Sequence, residues 1–209
     1  MKTPERILEQ TQELFYRYGT RSVTMDDIAR HMGISKKTIY HFFADKESIV
    51  MAMMKAKVEE MQSSMEIIAS GSRNAVDEIL QTMVYISTQF SNLNSALIYD
   101  LQKFHPKAWK VFETHKGTFM KECIIANLKR GVKEGLYRDD LHIEMTAQLR
   151  LCQIEDAVNP SLFKGDFDFQ AVNVCSLDLY LHSIVNNKGH KLLDSYTKPK
   201  TSTRKKHIA

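Results

Sequence analysis

Between Thr24 and Phe43 the sequence specifies two short helices and the turn that separates them. Thr24 is placed to cap the first helix, its hydroxyl taking an orphan amide near Asp27 while the Asp27 carboxylate reaches back. Ile28, Ala29 and Met32 follow at helical spacing on one face, and Gly33 stands where the helix must stop, because glycine enters the left-handed conformation at little cost. Gly33 and Ile34 make the turn, and Ser35 caps the next helix. From Lys36 onward Ile39, Phe42 and Phe43 can face a core, which leaves Lys36, Lys37, Thr38, Tyr40 and His41 toward solvent.

Stability makes no use of such a face, whereas a DNA duplex does. A helix lying in the major groove brings its N-terminal residues to base edges and its flanks to phosphates. Lysine donates to guanine acceptors, and Ser, Thr and Tyr hydroxyls donate to phosphate oxygens. Lys46, one residue after Asp45, opens the next helix, where its charge and the unpaired amides can meet one phosphate together. Taken alone, any of these lysines reads as part of an ordinary solvated face; the ordered pattern favours nucleic acid.

Residues 3–50 resemble the N-terminal DNA-binding domain of the TetR family of transcriptional regulators. The pattern comprises a threonine-capped helix (Thr24), an Ile-Ala pair (Ile28, Ala29), a Gly-hydrophobic-Ser turn (Gly33, Ile34, Ser35), then Thr38, Tyr40, Phe43 and Lys46. The resemblance implies phosphate contacts from Thr24, Thr38, Tyr40 and Lys46, with Ser35, Lys36, Lys37 and His41 nearest the bases. It also implies double-stranded operator DNA as partner, repression as the usual mode, pairing into a homodimer through two C-terminal helices, and a small-molecule effector.

The rest of the sequence is compatible with that reading. A chain of 209 residues with 43% hydrophobic content can bury a substantial core. Its net charge of +4 is modest, so attraction to DNA must come from a local patch. Cys123, Cys152 and Cys175 are odd in number and set in apolar helical sequence, which predicts reduced core thiols. The histidines are scattered without metal-ligand spacing, and His105, His115, His142 and His182 are expected at the surface or as satisfied interior groups. Nucleophile–base pairs, paired carboxylates and phosphate-cradling glycine loops are not found, so neither an enzyme nor a cofactor is expected. Met1 to Arg6 carries no apolar signal core, and no apolar run reaches membrane length, which predicts a cytoplasmic protein without a membrane partner.

Helical periodicity covers nearly the whole chain and no strand pattern competes, so the fold expected is all-α, with about nine helices. A three-helix helix-turn-helix domain occupies residues 1–48, with Ile7, Leu8, Thr11, Leu14, Phe15 and Tyr18 along one face of its first helix. A helical ligand-binding and dimerisation domain fills residues 49–187, joined to the first by a helix running from Lys46 toward Ala69. A long helix starts at Pro106, and two more cover roughly 143–158 and 167–185. Those last two are apolar around more than one face, through Met145, Leu149, Cys152, Leu177, Leu179 and Leu181; one face packs inside and the other needs a partner. Residues 188–209, rich in Lys, Ser and Thr, form a basic tail expected to be disordered.

Met83, Phe90, Leu101, Phe104, Trp109, Phe112, Phe119 and Met120 mix aromatic rings with flexible thioethers between the two functional ends. Such side chains can line an adaptable apolar cavity, and at helical spacing they can equally be core. The reading that results is a dimeric repressor released from its operator by a small apolar or amphipathic ligand. The alternative is a regulator whose C-terminal half only dimerises or answers to a protein.

Overall fold

A computed structural model describes residues 3–89, 95–157 and 169–197. The described residues form eleven α-helices: α1 (Pro4–Tyr18), α2 (Met25–Met32), α3 (Lys36–Phe42), α4 (Lys46–Gly71), α5 (Ala75–Gln89), α6 (Ser95–Phe104), α7 (Pro106–His115), α8 (Lys121–Lys133), α9 (Ile143–Ala157), α10 (Phe169–Ile184) and α11 (Asn187–Thr197). Among these residues no strand forms, and Tyr137 and Val185 make one isolated β-bridge. Among the described residues no helix is long and apolar enough to cross a membrane.

Two helices beyond the expected nine have separate origins. The helix from Pro106 is continuous as expected, but a π-helical turn at Lys116–Met120 divides it into α7 and α8. The other is α11, which replaces disorder at the start of the basic tail. Asn186 starts it, its side-chain oxygen accepting from the Lys188 and Gly189 amides at 2.9 and 3.0 Å. Leu193 is buried, with Leu192 and Tyr196 packed beside it. Composition predicts disorder here, but an apolar stripe with a cap and a surface to dock on outweighs it. Residues 198–209 of the expected tail lie outside the described residues.

Two hydrophobic cores result. The first joins Ile7, Phe15, Ile28 and Ile39 of α1–α3 to Ile49, Val50, Met53 and Met54 of α4, and then to Leu97, Leu101 and Ala108 of α6 and α7. It crosses the expected boundary at residue 48, so the helix-turn-helix and the following domain share packing. The second collects Val76, Leu128, Tyr137, Leu181 and Ile184 from α5, α8, the segment after α8 and α10. Gly131 serves this second core: a Cβ there would stand 2.1 Å from the Tyr137 ring, whose hydroxyl donates to Ala75 O and Asn127 Oδ1.

Several sequence expectations are corrected. Phe42 is exposed, because α3 ends there and the extended backbone of Phe43, at φ −130° and ψ 122°, turns Phe43 inward in its place. Tyr18 ends α1 just before the chain turns at Gly19 and stays open, with Arg17 near its ring. Cys152 and Cys175 are exposed and Cys123 is half-buried, so only Cys123 approaches a core thiol. The first two sit on α9 and α10 faces that no other part of the described chain covers.

Candidate nucleic-acid interface and ligand cavity

Short-range hydrogen bonds build the helix-turn-helix. The Thr24 amide donates to Asp27 Oδ2 at 2.9 Å, the Thr24 hydroxyl donates to the same oxygen at 2.6 Å, and the Asp27 amide donates to Thr24 Oγ1 at 3.2 Å. These bonds hold Asp27 below the usual carboxylate range. Gly33 closes α2 in the left-handed conformation at φ 63°. Ser35 Oγ then accepts from the Thr38 amide at 3.1 Å and lies 2.9 Å from Thr38 Oγ1.

The face of α3 that results presents Lys36, Lys37, Tyr40 and His41 to solvent together. Lys36 reaches Asp26 at 3.0 Å, a contact that raises its pKa. Lys37 has no ion pair or hydrogen bond among the described residues. His41 packs edge-on against Phe42, which gives the exposed phenyl ring a place in this surface. Lys46 opens α4 as expected, and its Nζ donates to the carbonyls of Thr20 and Val23, each at 3.1 Å, a role the sequence did not announce. Two of its three donors thus close the loop between α1 and α2 against the start of α4, leaving one uncommitted among the described residues.

A polar latch ties this domain to α6 and α7. Asp100 accepts from the Arg21 amide at 2.8 Å and from the buried Thr20 hydroxyl at 3.3 Å. Buried His105, at the start of α7, contacts the Glu47 carboxylate through Nδ1 and Thr20 Oγ1 through Nε2. The loop leaving α1 and the first turn of α4 are therefore held by residues of α6 and the start of α7. Of the histidines considered, His105 is satisfied inside as expected, whereas His115 is buried with its Nε2 unpartnered.

Behind the latch lie two adjoining cavities, of about 130 and 190 Å³. Either is far larger than the about 10–15 Å³ a single water needs. Leu101, Trp109, Phe112 and Met120 line the first, and Phe119 and Met120 the second. Phe119 and Met120 belong to the π turn, whose extra residue per turn changes where side chains point. Met83 borders only a third, very small cavity. Phe104 is corrected outright: it is 40% exposed and stacks under Arg21, because the last turn of α6 carries it past the core that Leu101 enters. Phe90 lies outside the described residues.

Sequence reasoning missed Arg150 and His115 as cavity walls, and gave Met53, Met54 and Met61 to a linker helix rather than to a pocket. Arg150 carried a signal, being a single cation inside the apolar run from Met145 to Ile154. It is 4% exposed, and desolvation pulls its pKa down to about 10. In the second cavity burial lowers the His115 pKa and pushes the Cys123 thiol up to about 11. Such a thiol is inert rather than nucleophilic at neutral pH.

Known proteins resemble this chain along the same lines. The sequence model of the family described as bacterial regulatory proteins, tetR family, matches residues 7–53. The HTH-type transcriptional regulator YvaF of Bacillus subtilis is 31% identical over 119 residues, 56% of this chain and 60% of that protein. The HTH-type transcriptional repressor KstR2 of Rhodococcus jostii is 31% identical over 143 residues, 66% of this chain and 70% of that protein. The match thus spans less than two thirds of YvaF and more than two thirds of KstR2. The crystal structure of a transcriptional regulator from Cytophaga hutchinsonii has the same fold, with a TM-score of 0.69 at 23% identity over 87% of this chain and 98% of that one.

Proposed function

Because this chain belongs to the TetR family of helix-turn-helix transcriptional regulators, and so is not an enzyme, we propose that it is a dimeric repressor whose operator affinity is lowered by a small apolar or amphipathic molecule in the cavities. Such a protein acts where the chromosome is, in the cytoplasm. Lys36, Lys37 and His41, with Ser35, meet base edges; Thr24, Thr38, Tyr40 and the remaining donor of Lys46 meet phosphates.

The observation that carries the ligand-responsive reading is the sharing of elements between cavity and latch. Leu97, Ile98 and Leu101 of α6 and Trp109 of α7 wall the first cavity, while Asp100 and His105 in the same stretch grip Thr20, Arg21 and Glu47. A molecule that spreads α6 and α7 must move the latch or break it. Either outcome re-aims α3.

Pairing supplies the sensitivity. Met145, Leu149 and Leu179 are 59%, 61% and 62% exposed on α9 and α10, an apolar surface that a second copy covers. Two copies of α3 then read half-sites about 34–36 Å apart, and a small tilt in each protomer spoils that spacing. Switching the population from mostly competent to mostly incompetent takes about 5.5 kcal/mol of differential ligand affinity.

Selection of bound sequences from a random DNA pool tests the proposal. The expected product is a two-fold-symmetric site with half-sites one helical turn apart. Recovery of no enriched sequence by the intact protein at moderate salt overturns it.

A further inference from the structure

Resting on the ligand-responsive reading above, we propose that the effector is an amphipathic anion, a carboxylate on a long apolar body, with its head on Arg150 and its body in the first cavity beneath Trp109.

Arg150 borders both cavities, which also share Met61, Ile86, Met120 and Ile154 as walls. Its Nη1 makes both of its hydrogen bonds, to Gln153 Oε1 at 3.1 Å and Ser176 Oγ at 2.9 Å. The Tyr180 ring lies 5.3 Å from its Cζ. Among the described residues no carboxylate pairs with it, and its Nε and Nη2 have no partner. A guanidinium stays protonated at neutral pH even when desolvated, so this is a permanent buried cation with no counter-charge among the described residues. Burying such a group is unfavourable unless something compensates it, and the unused Nε–Nη2 edge of a guanidinium is the fork that a carboxylate fills with two parallel bonds.

The other charged groups on the walls are already spent. Glu78, in the second cavity, is held by Arg130 at 3.0 Å. Lys57, in the first, donates to Glu60 at 3.0 Å and to Gln89 at 2.6 Å. The charge left open is therefore positive, which rejects amines and favours acids. His115 is an independent second sign of a ligand. It is 6% exposed, its Nε2 has no partner, and it borders the second cavity. Burial keeps it neutral, so it offers one hydrogen bond to a polar group beyond the head without adding charge. The first cavity is otherwise apolar, with thioethers of Met53, Met54 and Met61 that can repack around a chain or a ring system.

Trp109 is the one tryptophan of the chain and faces the first cavity, so its emission reports occupancy. The intact protein is titrated with dodecanoate, dodecanol and dodecyltrimethylammonium, following Trp109 emission and the thermal midpoint. Dodecanoate is expected to saturate with a Kd about ten- to a hundred-fold below that of dodecanol, the range a hydrogen-bonded charge supplies, with the ammonium weakest. Arg150→Met keeps length and apolar bulk, and is expected to erase the acid's advantage while dodecanol binds within about two-fold of its wild-type Kd. Equal affinity of acid and alcohol for the wild-type protein overturns the anion while leaving the cavity reading intact. Failure of all three to saturate overturns both. Should Arg150→Met fail to fold, the wild-type protein still decides the matter. The acid's preference must weaken about tenfold per unit as pH falls below the free acid's pKa of about 4–5, and a preference that does not weaken there overturns the proposal.

Discussion

The helix-turn-helix and the cavity half are held together over different ranges of sequence. In the first, each cap is closed by a residue three positions away: Thr24 with Asp27, Ser35 with Thr38, Asp45 with Ser48. In the second, the decisive bonds join distant segments: Tyr137 to Ala75, Arg150 to Ser176, Asn127 to Ala75. Locally closed elements present a fixed reading surface, while a space enclosed by five or more helices changes shape when any one of them moves. The two regimes meet at Asp100 and His105, where cavity helices grip the loop after α1. A regulator needs that division: a rigid reader, an adaptable sensor and a joint between them.

The contrast is broken most severely at Gly131. Its replacement by Ala drives a methyl into the Tyr137 ring, and a loss of about 3 kcal/mol in urea unfolding is expected from overpacking against a fully buried neighbour. A loss below about 0.5 kcal/mol would mean that long-range fit matters little in the cavity half. Asp100→Ala comes next. It strands the Arg21 amide and the Thr20 hydroxyl, with about 2 kcal/mol of destabilisation expected. Operator affinity, measured by band shift, should fall as the reading domain loosens. If affinity is unchanged in a folded variant, the latch does not orient α3.

Thr24→Ala removes one local cap and is expected to reduce stability by about 1 kcal/mol. Dodecanoate titration of Trp109 should be unmoved, because nothing beyond Asp27 depends on that hydroxyl; a changed Kd would show that the reader is not autonomous. The smallest stability effect belongs to Lys37→Ala, within about 0.5 kcal/mol, since the side chain is exposed and has no ion pair or hydrogen bond among the described residues. Its effect should instead appear in which operator sequences are selected, and an unaltered preference would remove Lys37 from base reading.

What the chain order made legible follows the same division. Thr24, Gly33 and Ser35 announce their roles because capping chemistry and left-handed glycine act within one turn. Lys46 shows the limit: its place at the head of α4 is written locally, but its bonds to Thr20 and Val23 depend on how α1 packs. Leu101 and Phe104 look alike in a periodic pattern, and one enters the first core while the other stacks on the surface, a difference set by where α6 ends. In α11 the signal was present, in Leu192, Leu193 and Tyr196, but lysine-rich composition concealed it. Arg150 stood out only as a charge in an apolar run; that it borders two cavities with no carboxylate partner among the described residues follows from the packing of α9 against α8 and α10.

By itself, then, the sequence determined the all-helical architecture, the boundaries of most helices and the exposed, cationic face of α3, because each rests on hydrogen bonds and periodicities that close within a turn or two. Tertiary structure alone decided that the first core crosses into α6 and α7, that a latch joins the helix-turn-helix to the cavity helices, and that one buried cation borders that cavity with no counter-charge among the described residues. Those features depend on the relative placement of segments dozens of residues apart, and no local preference encodes a distance of that kind.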